Sequence, residues 1–137
     1  MKIENIKFKA KRLDNEEWCE GYFYEENGNT YIIENRQKES MLNRNVTHHV
    51  DLSTVCQFTG LKDRDGNEIY EGYIIDFDIC LCSVVWVDSV CAFCLKNITL
   101  ESTGTTPLGV MLDYYNNYRV LGSIYDSKWK EKKKHKR

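Results

Sequence analysis

Gln57-Phe58-Thr59-Gly60-Leu61-Lys62-Asp63-Arg64-Asp65-Gly66-Asn67-Glu68-Ile69-Tyr70-Glu71-Gly72 is the stretch that decides the architecture. Asp65-Gly66 suits the two central positions of a tight hairpin, because glycine adopts positive φ without a steric penalty. The flanking residues predict two antiparallel strands. Gly60 and Gly72 stand at the outer ends, where backbone freedom or close approach matters. Asp63 and Glu71 are placed to accept hydrogen bonds from amides at the hairpin ends, as short polar side chains do in turns. Gly60, Asp63, Gly66, Glu71 and Gly72 therefore read first as residues that build the hairpin. A calcium loop is excluded, because it needs glycine at its sixth position and glutamate at its twelfth. Counted from Asp63, glycine comes fourth and Ile74 twelfth.

Upstream, Ile6-Lys7-Phe8-Lys9-Ala10 alternates apolar with basic, as a half-buried strand does. Two aromatic runs, Trp18 to Tyr24 and Thr30 to Ile33, flank Asn27-Gly28, a second hairpin signal. Residues 3 to 35 thus read as an antiparallel meander. Residues 35 to 45 are polar and read as a surface loop, the natural passage between sub-structures 1–45 and 46–127. Residues 46 to 50 read as a short strand, and Asp51 caps one helical turn over Leu52 to Val55.

Downstream, Ile74 to Leu81, Val84 to Val87 and Val90 to Leu95 read as successive strands, residues 102 to 109 as a loop, and Tyr118 to Tyr125 as a last strand. Helical periodicity is scarce. The 137 residues, 42% hydrophobic with 9 Tyr, 5 Phe, 3 Trp and one Pro, favour a single mainly β domain over residues 1–127. Many short strands predict a small antiparallel β-barrel-like core that covers its own edges, with few or short helices.

The signature from Gln57 to Gly72 resembles that of the YopX family of phage and prophage proteins. Ile6 to Ala10, Gly21-Tyr22 and Val120-Leu121-Gly122-Ser123-Ile124-Tyr125 agree with it in order, so the resemblance covers most of residues 3 to 126. Tyr73 departs from it, since the family usually has Asp after Glu-Gly. The resemblance implies a β-rich fold and a mobile-element origin. It implies no established activity, so no catalytic role is carried onto the signature residues.

Three constellations are candidates for chemistry. Cys80-x-Cys82 and Cys91-x-x-Cys94 place two thiol pairs on neighbouring strands, where a tetrahedral metal site needs four donors. Only the second pair has common zinc spacing, so small buried hydrophobes are the favoured reading. His48 and His49 point to opposite faces of an extended segment, so at most one joins any site. Asp76 and Asp78 alternate with Phe77 and Ile79, which predicts one shared face and most simply a solvated one. No nucleotide-binding or hydrolase motif occurs. No cofactor is expected.

The net charge of -2 is unevenly spread. Residues 128 to 137 hold seven Lys/Arg against one Glu, a net of +6, leaving -8 on residues 1 to 127. Six cysteines, no apolar run of the roughly 20 residues that a membrane span needs, and no signal-like N-terminus predict a cytoplasmic protein with reduced thiols and no membrane partner. The expected function is binding without catalysis, by a phage or prophage accessory protein that self-associates and meets an unidentified protein partner. The alternative is weak, sequence-independent nucleic-acid binding by a disordered tail whose Lys128, Lys130, Lys132, Lys133, Lys134, Lys136 and Arg137 meet phosphates. An uncharacterised enzyme using the Asp76/Asp78 face or the thiols ranks below both.

Overall fold

The Asn27-Gly28 signal closes as its residues demand, whereas at the second turn the central pair is Arg64-Asp65 and not Asp65-Gly66, because the Gly66 amide donates to the Asp63 carbonyl at 3.1 Å. Asn27 and Gly28 adopt φ of 52° and 81°, joining β2 (Trp18–Glu26) to β3 (Asn29–Asn35). At the second turn Asp63 Oδ1 accepts the amides of Asp65 and Asn67 at 2.9 and 2.8 Å. Gly66 there has φ of 86°. The turn joins β5 (Cys56–Lys62) to β6 (Glu68–Tyr70). Asp51 Oδ1 accepts the Ser53 amide at 3.0 Å and caps a 3-10 turn over Leu52–Thr54.

The structure, a computed structural model, describes residues 1–36, 45–100 and 104–130. Residues 37–44 of the loop predicted over 35 to 45, residues 101–103, and Lys132, Lys133, Lys134, Lys136 and Arg137 lie outside the described residues, and in the loop predicted over 102 to 109 Thr105–Pro107 is instead a strand and Leu108 opens a helix. The chain forms two compact units, Met1–Phe58 and Thr59–Arg137. Their boundary falls at Phe58 and not within residues 35 to 45, because β4 (Asn45–His49) pairs with β3 and stays in the first unit.

In the first unit, β1 (Phe8–Lys11) lies between β2 and the start of β5, and the antiparallel order is β4-β3-β2-β1-β5. Ala10, Cys19, Ile32 and Val50 form its core, with Phe8 and Val55 packed against them. The predicted barrel-like closure is not a closed barrel. Among the described residues one bridge, Arg12↔Val50, joins the residue after β1 to the residue after β4. The cause is the shortness of β1, whose second edge is taken by β5 at Phe8 and Lys9.

The second unit contains the β5–β6 turn and an open antiparallel sheet ordered β10-β9-β8-β7-β11. Its strands are β7 (Tyr73–Asp76), β8 (Leu81–Val87), β9 (Ala92–Asn97), β10 (Thr105–Pro107) and β11 (Arg119–Ser123), and its helix α1 spans Leu108–Tyr114. Ile69, Ile75, Phe77, Val84, Leu95, Leu108 and Tyr118 lie in the larger core. A smaller cluster of Ile74, Leu81 and Leu121 is met by Ile98 and Trp129. Trp129 therefore packs against the folded unit, although a disordered tail was expected from Lys128. The predicted strand from Ile74 to Leu81 is broken, because Phe77 donates its amide to the Cys80 carbonyl at 3.0 Å and turns the chain.

Candidate functional site

The alternation of β4 sends His48 inward, 7% exposed, while His49 is exposed and stacks on Tyr31 with ring centroids 5.1 Å apart. Only His48 joins a site. Opposite it on β3 is Ile32, and two residues along stands Glu34, which takes the diagonal position. His48 Nε2 lies 2.8 Å from Glu34 Oε2. Arg36, two residues further, donates Nε to Oε1 at 3.0 Å and Nη2 to Oε2 at 3.1 Å. A planar guanidinium matches a carboxylate in this two-pronged way. The Arg36 fork first, and His48 second, hold the Glu34 carboxyl below the usual carboxylate range, against the opposing effect of burial.

These side chains line a groove of about 710 Å³ together with Lys7, Arg12 and Trp18. Its charges are largely matched by neighbours, with Lys7 Nζ 3.5 Å from Glu20 and Arg12 bonded to Asp14. Lys9 and Lys11 bring their ammonium groups 4.4 and 5.4 Å from the Trp18 ring centroid. Cation–π attraction holds such pairs together. Cys19 also lines the groove; burial pushes its thiol up to about 11, so it stays protonated at neutral pH. The arrangement orients an imidazole against a carboxylate and offers polar contacts to a ligand.

The cysteine pairs are not gathered into one tetrahedral set. Cys82 lies opposite Asn97 and Cys94 opposite Val85, three positions apart along the ladder. Cys91 is exposed, in left-handed conformation at the end of the Asp88–Val90 turn. Among the described residues, no three His, Cys, Asp or Glu side chains are grouped to hold a metal ion. Protein purified without chelator should contain well under one zinc per chain by elemental analysis. Stoichiometric zinc that disappears from a Cys91→Ser/Cys94→Ser variant would contradict the arrangement.

Asp76 and Asp78 do not share a face. Asp76 is 5% exposed, and its Oδ1 accepts the Asp78 amide at 2.8 Å, while its Oδ2 lies 3.7 Å from Arg119 Nε. Asp78 is exposed with φ of 69°. The Asp76 carboxylate serves a turn. Gly60 and Gly72, like Gly66, have positive φ, so the signature glycines occupy positions that disfavour other residues. Glu71 is half-buried in the turn before Gly72. Of the tail cations, Lys128 and Lys130 are described and exposed. The groove itself was not anticipated. Its one sequence signal is Glu34-x-Arg36, which strand alternation places on one face.

The two units are antiparallel β structures, and the polar groove belongs to the first of them. A family model, that of the YopX protein, matches residues 7–128. The chain belongs to the YopX family. No curated protein matches it. No helix among the described residues is long and apolar enough to cross a membrane.

Proposed function

We propose that the protein is a non-catalytic accessory protein of phage or mobile-element origin that works by binding, and that it self-associates. The observation that carries this reading is on β2. Tyr22, Phe23 and Tyr24 are consecutive and 51%, 38% and 42% exposed. Successive strand residues point to opposite faces, so this arm shows aromatic surface on both sides. Aromatic side chains are large contributors to association when covered. The matched charges of the groove favour complementarity with a protein surface over capture of a bare anion. Light scattering at micromolar concentration should return a multiple of the 16.2 kDa chain mass. A Tyr22→Asp/Tyr24→Asp variant should return the monomer with an unchanged fold by circular dichroism. Monomer for the parent chain at that concentration refutes self-association.

A second reading, weak nucleic-acid binding, is supported by Lys9 and Lys11 beside Trp18, a local basic and aromatic strip within an acidic body. Basic grooves with stacking aromatics suit single strands. Deleting residues 131 to 137 should leave the thermal midpoint unchanged, since exposed ion pairs contribute only about 0 to 1 kcal/mol each. The same deletion should abolish weak binding to single-stranded DNA. Binding that survives deletion but falls in Lys9→Ala/Lys11→Ala moves recognition onto the strip.

A further inference from the structure

Cys80 and Cys82 place their sulfurs 3.7 Å apart. They share a cavity of about 310 Å³ with Met111, Asn97, Thr105 and Thr106. Two sulfurs bound to one ion at about 2.3 Å lie about 3.8 to 4.0 Å from each other in tetrahedral or trigonal geometry, so the pair is already close to the bite of a chelate. The backbone that carries them is pinned on both sides. Phe77 donates its amide to the Cys80 carbonyl at 3.0 Å, and Leu81 donates its amide to Thr99 Oγ1 at 2.8 Å. Cys82 is 3% exposed, whereas Cys80 is half-buried at the cavity. Met111, on α1, and Cys80 both pack against the core cluster that contains Cys82, and Met111 brings a thioether to the same cavity.

We propose that Cys80, Cys82 and Met111 form a binding site for a soft monovalent ion, copper(I). Two thiolates and a thioether are soft donors that select copper(I). Zinc's structural sites instead complete four Cys or His ligands, and among the described residues the cavity wall supplies no imidazole and no third thiol. Binding converts both thiols to thiolates. Each S–H bond is replaced by a sulfur–copper bond, and two protons pass to solvent. Copper keeps its oxidation state, so no electron donor or acceptor takes part.

The test uses the full chain, reduced and anaerobic, titrated with copper(I) against bicinchoninate as a competing chelator. One equivalent per chain should be withheld from the chelator. Cys80→Ser should weaken binding by at least about 100-fold, at or beyond the upper end of what removing an outer-shell partner of a metal costs. Met111→Leu should weaken it by about 10-fold. Cys91→Ser, which alters the exposed thiol of the Asp88–Val90 turn, should leave it unchanged. X-ray absorption at the copper edge of the parent protein should show three sulfur neighbours, a readout that does not depend on any variant folding. Equal loss in Cys91→Ser and Cys80→Ser, nitrogen or oxygen neighbours in place of the third sulfur, or no copper withheld from the chelator would each overturn the site.

Discussion

Gly21→Ala is expected to destabilise the first unit by about 3 kcal/mol or more, the upper range for forcing extra volume into a packed site. Gly21 is the joint of β2. On one side β2 pairs with β1, where Gly21 lies opposite Phe8, and from Tyr22 onward it pairs with β3. The β3 backbone passes so close that a Cβ on Gly21 would fall 2.1 Å from the Ile33 carbonyl oxygen and 2.7 Å from its carbon. Both obstacles are main chain, so no rotamer change relieves them. Relief requires moving β3, which carries Ile32 of the core and Glu34 of the groove. Gly28→Ala is the control. Gly28 has φ of +81° and nothing within 4 Å of its Cβ position. Alanine there meets only the left-handed penalty, about 1 to 2 kcal/mol. Denaturant unfolding of both variants should separate them clearly, and equal stabilities would refute the close crossing.

What the sequence disclosed depended on how local the determining physics is. Asn27-Gly28, the turn ending at Gly66 and the Asp51 cap are legible because a few adjacent residues fix the backbone there, and the φ values and hydrogen bonds agree with them. The break at Phe77 to Cys80 was hidden inside an apolar run from Ile74 to Leu81. Asp76 and Asp78 looked like strand alternation, although Asp76 accepts the Asp78 amide as turn residues do. Helix α1 has seven residues and follows Pro107, too short for a periodic pattern to show. The groove was beyond local reading. His48 meets Glu34 only through the β3–β4 register, which is set by residues on two strands separated by the segment 36–44. Adjacent histidines could be divided between faces from alternation alone, but the partner of the inward one could not be named.

Glu34→Gln should cost about 1 to 2 kcal/mol at neutral pH, the range for a charge-assisted bond discounted for partial exposure. The substitution keeps the size of the side chain and removes the charge that Arg36 and His48 share, and His48, its side chain 6% exposed, has little water to replace it. The effect carries a pH signature. Because the Glu34 carboxyl titrates lower in the folded chain than in the unfolded one, the unfolded chain takes up its proton first as the medium is acidified. Its contribution to stability is therefore complete above the ordinary carboxylate range and is lost as the pH falls through the folded value. Glutamine has no such titration. The stability gap between parent and variant should be widest at neutral pH and should narrow on acidification until it closes below the folded value. Arg36→Met should reproduce part of the neutral-pH loss, and combining it with Glu34→Gln should add less than the sum, since the two residues act through one fork. Denaturant titrations across the acid range decide the matter. A gap that stays constant with pH, or strict additivity of the two substitutions, would show that the carboxylate does not hold the groove together by charge.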